Sequence, residues 1–325
     1  MTSLFLLAQA VPDSASGAGV AYLFQQVLVG LTIGGVYALI AVGYTMVYGI
    51  IELINFAHGE IFMIGAFISI LALSLFATVG ASAALPLALL IAIALAACWS
   101  AGYNYTLERT AYKPLRFAPR LAPLISAIGA SYFLKEYVRL AAGSQFFSVP
   151  SKIQNDPMIA GAFDVGGVSV KYLQIAILIS CAILMAAVTL LVNRTRLGKA
   201  MRATAQDKIM SQLLGIDVNT IISYTFVMGA SLAAAAGLMV SMYYGSVDFN
   251  LGFLAGIKAF TAAVLGGIGN IPGAMLGGFV LGLSETLWAG YVSSTYKDVF
   301  TFIVLVFVLL FKPSGLLGEQ VGQKA

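Results

Sequence analysis

The sequence predicts an all-α, polytopic integral membrane protein, and three observations carry that prediction. Hydrophobic residues make up 60% of the 325-residue chain and charged residues only 9%, whereas a soluble domain carries about 25% charged residues. Several stretches reach the roughly 20 apolar residues that take a helix through hydrocarbon, without the alternation of a membrane β-barrel. The basic residues are also gathered rather than spread. None precedes Arg109, then Arg109, Lys113, Arg116 and Arg120 crowd one loop and Arg194, Arg196, Lys199, Arg202 and Lys208 another. By the positive-inside rule both loops are cytoplasmic.

Taken in order, spans are expected near residues 27–50, 61–79, 85–105, 121–140, 172–192 and 221–244. Two shorter segments between 253 and 290 and a last span near 299–311 bring the count to seven to nine. Placing both basic loops inside puts the N-terminus outside. Residues 1–22 then form an extracytoplasmic tail, whose Ala8-Gln9-Ala10 faintly resembles a signal-peptidase site but follows no basic region. The same parity puts the polar connection 143–170 outside. Lys312 and Lys324 draw the end of the last span, and the tail 319–325, inside. Residues 253–290 must therefore enter and leave from one side, either as two crossings or as a re-entrant pair meeting at the glycines of 266–273. Residues 23–318 read as one transmembrane domain with a cytoplasmic loop at 194–220.

Gly30/Gly34, Gly269/Gly273, Gly273/Gly277 and Gly278/Gly282 each stand four residues apart. Such pairs let helix backbones approach closely, within the chain, against a second membrane subunit, or at a flexible gate. Gly267-Ile-Gly269 lacks the βαβ setting of a dinucleotide loop. Cys98 and Cys181 sit in apolar spans with no metal or disulfide spacing and read as packing residues.

Ionisable groups are costly in a membrane, which singles out residues 51–60, Ile-Glu-Leu-Ile-Asn-Phe-Ala-His-Gly-Glu. Asn55, His58 and Glu60 either form an interfacial turn or line a translocation path; one histidine with no nearby cysteine is a poor metal set. Lys258 and Glu285 lie in the two short C-terminal segments and either pair with each other or snorkel separately. Lys135, Glu136 and Arg139 sit at the outward end of the fourth span, where snorkelling is the default. In residues 194–216 the apolar Ile209, Met210, Leu213 and Leu214 recur at helical spacing beside Arg202, Asp207 and Lys208. A short amphipathic cytoplasmic helix is expected there, lying on lipid or docking on a partner.

Some functions are disfavoured. Gly198-Lys199 runs into Ala200, so there is no phosphate-binding loop. A single histidine supplies no Ser/His/Asp set, and 17 Lys and Arg spread over several loops leave no nucleic-acid footprint. The chain is not expected to be an enzyme or to bind a cofactor.

Gly43-Tyr-Thr-Met-Val-Tyr-Gly49 through Asn55-Phe-Ala-His-Gly-Glu60 resembles the signature of the branched-chain amino-acid (Liv-type) permeases of ATP-driven ABC importers. Glu108-Arg-Thr-Ala-Tyr-Lys-Pro-Leu-Arg116, Leu124-Ile-Ser-Ala-Ile-Gly129, Leu214-Gly-Ile216, the block from Lys258 to Gly269 and Ile271-Pro-Gly-Ala-Met275 add to the likeness, which extends from about Leu28 to Gly318 and is closer to the H-type subunit. It is weakest in the N-terminal tail and at 144–170.

The resemblance implies a multi-pass protein of the bacterial inner membrane, importing leucine, isoleucine or valine by alternating access. It implies a second, M-type permease, two ATP-binding subunits that use ATP and Mg²⁺, and a periplasmic substrate-binding protein as partners. It puts Asn55, His58, Glu60, Lys258 and Glu285 on a path or gate, and Arg202, Asp207, Lys208, Leu214, Gly215 and Ile216 on an ATPase-coupling helix. Uptake of urea or short amides within the same family is the alternative, followed by an ion-coupled carrier with His58 and Glu60 as a proton relay.

Overall fold

The computed structural model describes residues 16–79, 85–116, 118–119 and 121–318. Residues 1–15 with Ala8-Gln9-Ala10, Arg120, and 319–325 with Lys324 lie outside the described residues. The long helices are α1 (Ser16–Ile51), α2 (His58–Val79), α3 (Leu85–Leu107) and α4 (Leu121–Ala142). A π-helical turn at Glu108–Tyr112 and a 3-10 turn at Lys113–Leu115 follow α3. After α4 come strand β1 (Phe147–Ser148), the single turns α5 (Ser151–Gln154) and α6 (Pro157–Ala160), and the hairpin β2 (Ala162–Val165) and β3 (Val168–Lys171). The rest is α7 (Tyr172–Arg194), α8 (Arg196–Gln206), α9 (Lys208–Leu213), α10 (Val218–Tyr244), β4 (Ser246–Val247), α11 (Leu251–Gly266), α12 (Ile271–Tyr291) and α13 (Lys297–Phe311).

Among the described residues five helices, α1, α2, α3, α7 and α10, are long and apolar enough to cross a membrane alone, or six if α11 and α12 count as one bent span. The expected seven to nine also counts α4, α11, α12 and α13 singly. Lys135 and Glu136 dilute α4, and α13, with 15 residues, falls short of the ~20 a span needs. The first helix begins at Ser16, so residues 16–22 are helix rather than tail.

The two ends of the bundle differ. At one end β1 pairs with β4, and the Val149 amide donates to the Gly245 carbonyl at 2.9 Å, tying the connection after α4 to the end of α10. At the other end Arg116 donates to Asn219 at 2.6 Å and Lys208 to the Ile51 carbonyl at 3.4 Å, gathering the basic loops. The amides of Leu316 and Leu317 donate to the carbonyls of Leu265 and Gly266 at 2.8 and 3.0 Å, so the break between α11 and α12 sits at this basic end.

The chain turns by 120° at that break. Gly267 (φ 107°) and Gly269 (φ 95°) adopt backbone that a side chain resists, and Asn270 caps α12 by accepting from the Gly273 amide at 3.0 Å. At about 1.5 Å per residue the 21 residues of α12 span about 32 Å, the thickness of the hydrocarbon layer. The 16 residues of α11 span only about 24 Å. The segment is a hairpin with one full-length leg and one shorter leg.

Helices α1, α2, α10, α11 and α12 form the centre. Between its terminal residues Leu85 and Leu107, α3 buries a stripe at every fourth residue, Ala88, Ala92, Ala96, Ser100 and Asn104, and leaves most of its remaining surface exposed or half-buried. The paired glycines of α1 and α12 serve packing within the chain. Gly30 and Gly34 meet Leu283 and Phe279, and a Cβ on Gly278 would come within 2.7 Å of the Ala38 Cβ. Without a hydrophobic drive between helices in lipid, such close approach supplies the dispersion contact. Gly278→Val is therefore expected to overpack this seam and destabilise the protein by about 1–3 kcal/mol, read as a lower unfolding temperature in detergent.

Candidate functional site

The chain after α1 folds back into the bundle instead of staying at the interface. Lys208 binds the last carbonyl of α1, and Glu52 turns the chain with φ 61°. Six residues later His58 packs on Gly43, which lies eight residues before the end of α1, about 12 Å along its axis at 1.5 Å per residue. A Cβ on Gly43 would stand 2.9 Å from the His58 Cε1, and one on Gly229 would touch the same ring atom at 3.5 Å. Two glycines on two helices thus make the space that the imidazole fills. His58 is fully buried, its nearest polar neighbour among the described residues is the Ile40 backbone, outside good hydrogen-bond geometry, and Tyr44 meets the ring edge-on at 4.7 Å.

The three polar residues of this turn are all buried and point to different neighbours. Asn55 accepts from the Tyr112 hydroxyl at 2.7 Å and donates to Asn104 Oδ1 at 3.4 Å, while Asn104 donates to the Phe226 carbonyl at 2.7 Å. This network clamps the folded-back segment to α3, to the π-helical turn and to α10. Glu60 accepts from Ser131 of α4 at 3.2 Å; among the described residues its Oε2 has no hydrogen-bond partner, and it faces Gly252 at the start of α11. Asn55, His58 and Glu60 therefore do not share one wall.

Lys258 and Glu285 form a second cluster. The Lys258 Nζ donates to Glu285 Oε1 at 2.6 Å across the α11–α12 hairpin and lies 2.6 Å from Asp298 Oδ1 at the start of α13. The two residues pair rather than snorkel separately. At the C-terminal end of α4 Arg139 pairs with Glu136 at 2.5 Å with both side chains about half exposed, where such a pair contributes little.

The basic loop holds two helices where one was expected. Asp207 (φ −153°) breaks the run, and its carboxylate accepts from the amides of Ile209 and Met210 at 2.8 and 2.9 Å, capping α9. Arg202 donates to the Val192 carbonyl near the end of α7, and Gly215 turns the chain with φ 82°. Ile216 is half-buried against the core, and Leu214 is exposed. Asp217 caps α10; bonds from Thr220, side chain first, and from the Asn219 amide hold its carboxyl below the usual aspartate value. Among the described residues one face of α9 and its C-cap is left without a neighbour: Ile209, Met210, Leu213 and Leu214 are 73%, 53%, 76% and 74% exposed.

Sequence reasoning missed Asn104, Tyr112, Ser131 and Asp298. Asn104 alone carried a usable signal, as the amide that follows Ser100 on the buried stripe of α3. Asn104→Leu removes the second donor to the Phe226 carbonyl, which keeps its bond within α10, and the acceptor for Asn55, leaving the Asn55 amide group buried and unsatisfied. The expected loss is about 1–3 kcal/mol for that orphaned group, measured by thermal unfolding.

The profile of the family described as "Branched-chain amino acid transport system / permease component" matches residues 26–309. The high-affinity branched-chain amino acid transport system permease protein BraD of Pseudomonas aeruginosa is 49% identical over 303 residues, covering 93% of this chain and 98% of that protein. The permease protein LivH of Escherichia coli K12 is 45% identical over 305 residues, with the same coverage. A probable LivH of Methanocaldococcus jannaschii is 25% identical over 287 residues, covering 86% and 88%. No solved structure matches the chain. With its apolar spanning helices, this is a multi-pass membrane protein that belongs to the permease-component family of branched-chain amino acid transport systems.

Proposed function

We propose that this chain is a membrane-spanning subunit of an ATP-driven importer of branched-chain amino acids. It works with a second, M-type permease, two cytoplasmic ATP-binding subunits and a periplasmic delivery protein. The N-terminus faces the periplasm, and the basic end with the C-terminus faces the cytoplasm. The observation that carries the reading is the bare apolar face of α9. It stands in a basic loop, outside the spanning helices, where a self-contained carrier has no need of it.

An amphipathic helix laid in a groove of a partner is a common mode of recognition, and α9 is tied to the core on two sides. Lys208 reaches the last carbonyl of α1, and Ile216 packs on the buried cluster. Motion of the ATP-binding subunits on closing around nucleotide is passed through these ties to α1 and the folded-back segment 52–60, biasing two packings of the bundle. Asn55, His58 and Glu60 act in this reading as the joint between coupling loop and bundle. Lys258 and Glu285 act as the electrostatic latch of the α11–α12 hairpin.

Deletion of this chain is expected to abolish leucine uptake in cells and leave urea uptake unchanged. Survival of leucine uptake with loss of urea uptake overturns the substrate assignment. Purification of the native complex is expected to recover two ATP-binding proteins and a second permease; recovery of this chain alone, fully active in uptake, removes the subunit reading.

A further inference from the structure

A cavity of about 200 Å³ lies between α1, α10, α11 and the start of α13, far above the ~10–15 Å³ that one water requires. Most of its wall is apolar, including Ile33, Val36, Ile40, Phe62 and Leu254. Four charged residues also line it: Asp248, Lys258, Lys297 and Asp298. Asp248 directly follows β4 and Lys297 opens α13, so these two stand at the loop-bearing end, opposite α9. Ile40 and Phe62 lie deeper, each within one turn of Gly43 or His58.

The charges are of both signs and incompletely paired. Lys258 is held by Glu285 and Asp298, two carboxyl groups on one ammonium. Lys297 and Asp248 have no ion-pair partner within 4 Å among the described residues. A cation and an anion without partners beside an apolar recess match a ligand that has both charges at one end and a hydrocarbon tail at the other. A simple cation makes no use of the recess, and an uncharged aliphatic molecule leaves both rim charges uncompensated.

We propose that this cavity binds one zwitterionic α-amino acid with an aliphatic side chain. Its carboxylate lies on Lys297, its ammonium on Asp248 and Asp298, and its side chain against Val36, Ile40 and Phe62. The inference rests on the importer reading above and adds that the chain holds cargo among its own helices, reached from the face opposite the coupling loop. Lys258, already neutralised by Glu285, forms the floor of the polar end and excludes a second ammonium.

The test is equilibrium binding of radiolabelled leucine to the assembled importer, purified without its delivery protein and held in nanodiscs. Saturable binding is expected. Lys297→Gln and Asp248→Asn should each weaken it at least about tenfold, the loss of one charge-assisted contact, and Ala255→Phe, which fills the recess, should abolish it. Isoamylamine, which lacks the carboxylate, and 4-methylpentanoate, which lacks the ammonium, should each compete at least about tenfold less well than leucine.

Isoamylamine competing as well as leucine makes this a cation site and overturns the proposal. Leucine affinity unchanged in both rim variants places the ligand elsewhere and overturns it too, as does absence of saturable binding. Leucine uptake by the complete system is measured in parallel. Uptake without this binding sinks the cavity assignment alone, while absence of leucine uptake sinks the importer reading beneath it.

Discussion

Replacing Leu213 and Leu214 together by glutamate is expected to lower uptake by at least about 100-fold while the chain still inserts in the membrane. Both side chains are about three-quarters exposed and touch little in the chain, so their loss removes almost no internal packing. If they are anchors in a partner groove, each contributes about 2 kcal/mol or more to association, and two such losses exceed a hundredfold in affinity. Co-purification of the ATP-binding subunits should fall with uptake. A helix that merely lies on lipid predicts a different result: two added charges would lift it off the surface and leave transport intact. Unchanged uptake with full recovery of the ATP-binding subunits therefore removes the docking role. Arg202 and Asp207 are poorer probes, because the first satisfies a carbonyl of α7 and the second caps α9. Reversing their charge disturbs the loop itself.

Lys258→Met is the second large effect. Among the described residues the substitution leaves Glu285 buried with no paired cation, and its Oε2 already lacks a partner. Removing one member of a buried ion pair costs about 3–5 kcal/mol, most of it the stranded charge rather than the lost attraction. The expected outcome is a sharply lower unfolding temperature and little protein in the membrane. The double variant Lys258→Met with Glu285→Met removes both charges from the buried site and is expected to regain most of that stability, since well-packed apolar residues can replace a buried pair. Asp298 stays about two-fifths exposed and can turn to water. If the double variant is as unstable as the single one, the pair is not what holds α11 to α12. If it is stable yet transports poorly, the cluster serves transport beyond packing.

Much of the architecture was legible because a membrane constrains a chain so severely. Continuous apolar runs mark helices, and clustered Arg and Lys mark one end of the bundle. The runs near 61–79, 85–105, 172–192 and 221–244 match α2, α3, α7 and α10 to within a few residues. The glycine pairs of α1 and α12 pointed to close packing. The site was legible only as composition. Asn55, His58 and Glu60 stand out as polar residues in an apolar stretch, but nothing local shows that three positions within six residues face three sets of helices. The second partner of Lys258, Asp298, lies forty residues away in the first turn of α13, and nothing local links the two. The expected single helix within 194–216 is broken at Asp207, where a side-chain cap competes with the helix interior, a choice that helical spacing of apolar residues does not register.

By itself the sequence determined the class of molecule, the approximate helices and the end that carries the positive charge, because burying polar backbone in hydrocarbon permits almost nothing but helices and confines charge to their ends. The tertiary structure decided what those charges and glycines do: the turn-back of residues 52–60 on Gly43, the triad of Lys258, Glu285 and Asp298, and the mixed-charge cavity beside it. Each of these joins residues far apart in the chain, so each depends on how helices cross, and crossing is settled by packing over the whole bundle rather than by any local run of residues.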